Sequence, residues 1–272
     1  MKNDIIKNLI IGGNGFIGSE LSSFLIEKGQ ETKCFGRRGS NEDVRFCQIP
    51  LSEFDMVYFT AWDLGGSKYL YSKDNYQIQI ENNVKILSNT IPQLIKYNKP
   101  FVFVSSFAAE FTDNPYGITK KMAEMWLERT PCRIIRIGNI YGKIKENNEK
   151  SDVISDFITQ AIFNNVIKMN TNGEEKRQFI YYRDAVNAIK TVSEQSENGI
   201  YDTFYNSEWI SIIQVAEIIA NLTGSDIIKG KQKGVEREVS PRKNIKDFSS
   251  NISILDGLSK TIGSFLSKKN YK

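Results

Sequence analysis

The chain has 272 residues, 40% of them hydrophobic and 25% charged, with a net charge of +4 that is too mild to call for nucleic acid. It contains no histidine, which excludes Ser-His-Asp hydrolysis, Cys-His nucleophiles and histidine metal sites. Any proton chemistry near neutral pH must then come from another group with a shifted pKa.

The first apolar run, residues 8–12, reads as a strand ending in Gly12-Gly13-Asn14-Gly15-Phe16-Ile17-Gly18. A helix over 16–28 follows, with Phe16, Ile17, Leu21, Phe24 and Leu25 on one face and Gly29 as its stop. Glycine in such a strand–turn–helix lets the backbone turn tightly and lets a pyrophosphate approach the helix N-terminus. Further strands are expected at 32–36, 44–48, 56–60, 101–105 and 132–137, with helices at about 75–97 and 116–129. This alternation predicts an α/β fold with a doubly wound parallel sheet. After Gly142 comes a polar loop, "KIKENNEKSD", then a helix over about 152–164. "IYYRDAVNAIKTVSEQS" reads as a return to the main domain, and an amphipathic helix over 252–267 closes the chain.

No apolar run approaches the ~18 residues of a membrane span, and none resembles a signal peptide. Cys34, Cys47 and Cys132 each lie in an apolar, strand-like stretch. They read as reduced core residues of a cytoplasmic protein.

Tyr-x-x-x-Lys occurs three times, at Tyr69/Lys73, Tyr116/Lys120 and Tyr141/Lys145. At i and i+4 on a helix, a lysine can favour the phenolate and lower the tyrosine pKa. Tyr69 sits in a polar segment and Tyr141 before a loop, whereas Tyr116 begins a good helix just after Pro115.

With Gly12-x-x-Gly15-x-x-Gly18 and "FVFVSSFAA…NPYGITK", the chain resembles the extended short-chain dehydrogenase/reductase family of NAD(P)-dependent sugar epimerases, dehydratases and reductases. The resemblance implies a Rossmann-like domain over 1–138 plus about 179–200, with a smaller mixed substrate-binding lobe from about 139–178 plus 201–272. It makes Tyr116 the general acid/base, with Lys120 lowering its pKa and holding the nicotinamide ribose. Ser106, at the strand end, would hydrogen-bond the substrate oxygen. Gly12, Gly15, Phe16, Ile17, Gly18, Ala61 and Asn83 would line the coenzyme. "RIIRIGNIYGK" places Asn139 against substrate, and "KRQFIYYRDAVNAI" places Arg177 near a substrate diphosphate. The resemblance also implies a homodimer formed through the helices at 75–97 and 116–129.

An acid at the end of the second strand would bind the ribose hydroxyls of NAD. Here Gly36 is followed by Arg37 and Arg38, whose forked donors suit a 2′-phosphate. NADP(H) is therefore the expected coenzyme and NAD(H) the alternative. Family 4,6-dehydratases carry an Asp-Glu pair after the strand-end serine; here Phe107 and Ala108 stand there and transfer no proton. A 4-ketoreductase of a nucleotide sugar is the first reading, a 4-epimerase retaining NAD the second, and a non-catalytic NADP-binding sensor the third. The basic segment 229–246 reads either as a solvated loop or as carrying Arg242, and after it Arg237, to the substrate diphosphate.

Overall fold

The computed structural model describes residues 6–64, 72–111, 113–144 and 152–269. In its first half strands and helices alternate: β1 (Lys7–Ile11), α1 (Phe16–Glu27), β2 (Glu31–Phe35), β3 (Met56–Phe59), α2 (Tyr76–Tyr97), β4 (Phe101–Ser106), α3 (Pro115–Leu127) and β5 (Cys132–Ile137). The second half runs β6 (Asn139–Tyr141), α4 (Val153–Asn164), β7 (Val166–Lys168), β8 (Lys176–Tyr181), α5 (Tyr182–Ser193), β9 (Gly199–Asp202), β10 (Trp209–Ser211), α6 (Ile212–Thr223), β11 (Asp226–Ile228), β12 (Lys243–Asn244) and α7 (Ile254–Lys269).

Among the described residues, seven strands pair in parallel in the order β2-β1-β3-β4-β5-β9-β12. Strand side chains alternate between faces. Leu9, Ile11, Phe101, Phe103 and Ile134 therefore pack with Leu87 and Ile91 of α2 and Ala123 and Leu127 of α3. Ile10, Val102, Val104 and Ile135 pack on the other face with Leu21 and Leu25 of α1 and Val186 and Ile189 of α5. Each fully buried side chain of this size contributes about 1.5–3 kcal/mol relative to exposure. The same alternation puts Ser105 and Arg136, which are register partners, beneath α3.

The smaller lobe sets β8 between β6 and β10, and pairs β7 with β11. Its core joins Tyr141, Phe157, Ile158, Phe179, Val215, Ile219 and Leu258. Buried Asp184, at the start of α5, accepts hydrogen bonds from Ser250 Oγ at 2.7 Å and from the Asn251 and Ile252 amides at 3.1 and 3.0 Å. That carboxylate fixes the approach of the chain to α7.

Two expectations need correcting. Residues 44–48 form turns rather than a strand. Asp43 accepts from the Gly39 and Arg45 amides and from the Arg45 guanidinium, and the chain coils around it. Cys47 accordingly lies in a turn, half-buried, while Cys132 is buried and all three cysteines are free. The large sheet also reaches beyond 179–200, because β9 runs on to Asp202 and β12 pairs with it.

Candidate active site

Strand order reverses across β1, which has β2 on one side and β3 on the other. Crevices beyond the C-terminal ends of parallel strands at such a point are the usual ligand sites of open α/β sheets. The candidate residues gather there.

Gly12 follows β1 with φ +91°, where a side chain is strained, and a Cβ on it would overlap Ala61. A Cβ on Gly18 would overlap the Gly12 carbonyl, so the turn packs tightly on the start of α1. Gly15 is the N-cap of α1 and no side chain caps that end. The N–H groups of its first turn, from Phe16 onward, are left for an anion. Gly12 donates its own amide to the Phe35 carbonyl, which brings the end of β2 alongside. Arg37 and Arg38 follow there, both exposed. Neither is in an ion pair among the described residues.

Asn114 caps α3 by accepting from the Gly117 amide at 2.9 Å, and Pro115 occupies the first turn. A Cβ on Gly117 would overlap the Ala108 and Phe111 carbonyls, so glycine lets the helix start close on the 3₁₀ turn Phe107–Glu110. This approach brings Tyr116 to Ser106, the residue that ends β4. Burial pushes the Tyr116 phenol up to about 12, and its hydrogen bond with Ser106 works the other way. Lys120 is buried, and desolvation holds its amine well below the usual lysine value. Its Nζ donates to the Val104 carbonyl at 2.6 Å and lies 3.8 Å from the Trp62 ring centroid. Its distance to the Tyr116 ring centroid is 5.9 Å. The expected lowering of the tyrosine pKa is thus absent here; the phenol is held protonated at neutral pH. Tyr69 and Lys145, from the two discounted pairs, lie outside the described residues.

The other expected residues divide. Ala61 donates its amide to the Ile11 carbonyl and packs under Gly12, inside the cradle. Asn83 is fully buried; its Oδ1 accepts from the Asp63 amide at 2.8 Å and its Nδ2 donates to the Asp63 carbonyl. That side chain clamps the loop after β3. Asn139 is exposed and donates to the Gln178 carbonyl at 3.0 Å. Arg177 reaches the Val235 carbonyl in the 229–246 segment. Arg242 pairs with Glu110 at 2.6 Å, and Arg237 pairs with Asp113. Both arginines of the basic loop are therefore tied to acids in or just after the turn Phe107–Glu110.

Sequence reasoning missed the buried ionic cluster under α3. Arg136 is fully buried and holds Glu124 through two donors, at 2.8 and 2.6 Å, and also pairs with Glu110. Ser105 Oγ donates to Glu124 Oε1 at 2.6 Å. Two signals were present: a charge inside the apolar run "RIIRIG", and an acid four residues after Lys120 on one helix face.

A family model described as the NAD dependent epimerase/dehydratase family matches residues 8–206. The UDP-N-acetyl-alpha-D-glucosaminuronate decarboxylase of Bacillus cytotoxicus is 26% identical, over 96% of this chain and 98% of that protein. The UDP-2-acetamido-2,6-beta-L-arabino-hexul-4-ose reductase of Pseudomonas aeruginosa is also 26% identical, over 78% of this chain and 56% of its own length. The fold is that of UDP-glucose 4-epimerase from Thermotoga maritima, solved with UDP-glucose, at TM-score 0.73 and 20% identity over 98% of this chain and 100% of that one.

Proposed function

This chain belongs to the NAD dependent epimerase/dehydratase family, and we propose that it reduces the 4-keto group of a nucleotide-activated deoxysugar with NADPH. More broadly, it is a nucleotide-sugar-modifying enzyme of the short-chain dehydrogenase/reductase type. The observation that carries the reductase reading is the exposed pair Arg37 and Arg38 beside the glycine turn, where an NAD enzyme would hold an acid. A reductase must exchange its coenzyme with a cellular NADPH pool, and guanidinium groups suit the 2′-phosphate.

The cradle of Gly12, Gly15 and Gly18, with the N–H groups of Phe16 and Ile17, fits a dinucleotide pyrophosphate. When bound, the coenzyme supplies the hydride that the carbonyl carbon accepts. Tyr116 gives its proton to the carbonyl oxygen, and its protonated state suits an acid. Ser106 hydrogen-bonds the same oxygen and steers it to the phenol. Lys120 lies behind the tyrosine, on the coenzyme side. Phe107 and Ala108 offer no group to eliminate water. Asn139, Arg177 and Arg242 lie toward the smaller lobe as substrate contacts, with a diphosphate competing against Glu110 for Arg242.

Fluorescence titration tests the coenzyme. NADPH binds more tightly than NADH, and Arg37→Ala with Arg38→Ala weakens NADPH about tenfold or more while leaving NADH within twofold. NAD released from the purified protein on denaturation would replace this reading with a redox-neutral one, the 4-epimerase first.

A homodimer is the assembly we propose. Ile118, Met122, Met125 and Trp126 are exposed on α3 at helical spacing, an apolar stripe that a monomer would leave in water. Sedimentation should give twice the chain mass, and Met125→Glu with Trp126→Glu should give the monomer. A monomeric parent protein would refute the assembly.

A further inference from the structure

Asp113 lies just before the helix that carries Tyr116, and its two carboxylate oxygens face different partners. Oδ2 pairs with the Arg237 guanidinium, and Oδ1 accepts from Asn114 Nδ2 at 2.8 Å. Asn114 Oδ1 in turn accepts from the Gly117 amide at 2.9 Å, which caps that helix. With its donor and its acceptor both committed, the buried Asn114 amide has one orientation. Its hold on the helix start is therefore only as firm as Asp113.

Arg237 comes to Asp113 from a loop anchored on the smaller lobe. Arg177 of β8 donates to the Val235 carbonyl at 2.9 Å, and the Asn172 amide donates to the Gln232 carbonyl at 2.7 Å. The Arg237 guanidinium also lies 4.6 Å from the Phe111 ring centroid. It thus grips the connection between Ser106 and Tyr116 at two residues. The same guanidinium, outweighing burial, holds the Asp113 carboxyl below its usual value. Asp113 is half-exposed, and an ion pair in that setting contributes little to stability. Orientation is different, because a small displacement of a reacting group costs far more in rate than in folding.

We propose that Arg237 and Asp113 are positioning residues for the general acid: Arg237, anchored on the smaller lobe, fixes Asp113, which fixes the Asn114 amide capping the helix of Tyr116. The inference rests on Tyr116 as the acid of a keto-sugar reductase. It gives Arg237 a role other than holding the substrate diphosphate.

Turnover followed by NADPH absorbance with a 4-keto nucleotide sugar tests it. Arg237→Ala should lower kcat about tenfold and leave the substrate KM within about twofold. Asp113→Ala should lower kcat alike, and the double variant should lose no more than either single one, because both act through one amide. Thermal midpoints should stay within about 2 °C of the parent protein, which separates the effect from partial unfolding. A raised KM with kcat held would overturn the proposal and return Arg237 to the diphosphate. An unchanged kcat, or losses that multiply in the double variant, would overturn it too. Hydrogen exchange needs no substrate. The Gly117 amide should exchange about tenfold faster in Arg237→Ala, while Lys231→Ala in the same loop leaves it unaltered. Gly117 exchange equal to that of the parent would sink the proposal. A parent protein that turns over no keto-sugar defeats the reductase reading, whereas the exchange rate still decides whether Arg237 holds the helix cap.

Discussion

Replacing Tyr116 by phenylalanine lowers turnover of a keto-sugar nucleotide about 10²- to 10⁴-fold, the usual scale for a lost general acid, and leaves NADPH affinity within twofold. The phenyl ring keeps the packing at the start of α3, so the loss falls on kcat. Following NADPH absorbance with 4-keto nucleotide sugars measures it, and a decline of less than threefold would remove Tyr116 from the chemistry. The pH dependence has a sign. Burial holds the phenol at about 12, and reduction uses the protonated form. The reductive rate should therefore stay level through neutrality and fall only as the phenol ionises. The reverse oxidation needs the phenolate and should rise with pH.

Replacing Glu124 by alanine destabilises the protein by about 3–5 kcal/mol, because it strips a fully buried guanidinium of its bidentate partner. Ser105 Oγ loses its acceptor as well. For a chain of this size each kcal/mol shifts Tm by roughly 2–4 °C, so a fall of roughly 10 °C is expected. Glu110 is then the ion-pair partner left to Arg136, and Glu110 also serves Arg242. Burial opposes the Glu110 charge, but Arg242 and Arg136 outweigh it and hold that carboxyl below its usual value. Combining Glu124→Leu with Arg136→Met removes both charges together and should recover most of the loss. Thermal unfolding of the single and double variants decides. A single-variant cost under 1 kcal/mol would mean that Arg136 finds another way to be solvated.

Local rules made much of this molecule readable before its structure. The glycine turn, the helix opening at Pro115-Tyr116 and the alternating strands each depend on a few adjacent residues. Gly117 belongs with them, since its lack of a side chain brings the tyrosine to Ser106. What was not legible depends on distant partners. Residues 44–48 have strand-like composition, and Asp43 bends them by gathering Gly39 and Arg45. Arg136 and Glu124 are twelve residues apart and meet only once α3 lies over β5. Asn83 is twenty residues from Asp63, whose backbone its side chain clamps only once α2 lies beside the loop after β3. The pairing of Arg242 and Arg237 in the basic loop with Glu110 and Asp113 spans more than a hundred residues.

The sheet's last two strands come late in the chain, β9 at Gly199–Asp202 and β12 at Lys243–Asn244. A ribosome that has released only the first half of the polypeptide has therefore made a sheet that ends at β5. The open side of β5, with Ile134 and Ile135 in its run, is a template for pairing with another nascent copy. The hazard lasts until some seventy further residues emerge to cover it, an order-of-magnitude count that corresponds to about 4–14 s of synthesis. Through that interval the growing chain depends on chaperones or on its own helices to shield an edge that the finished protein no longer exposes.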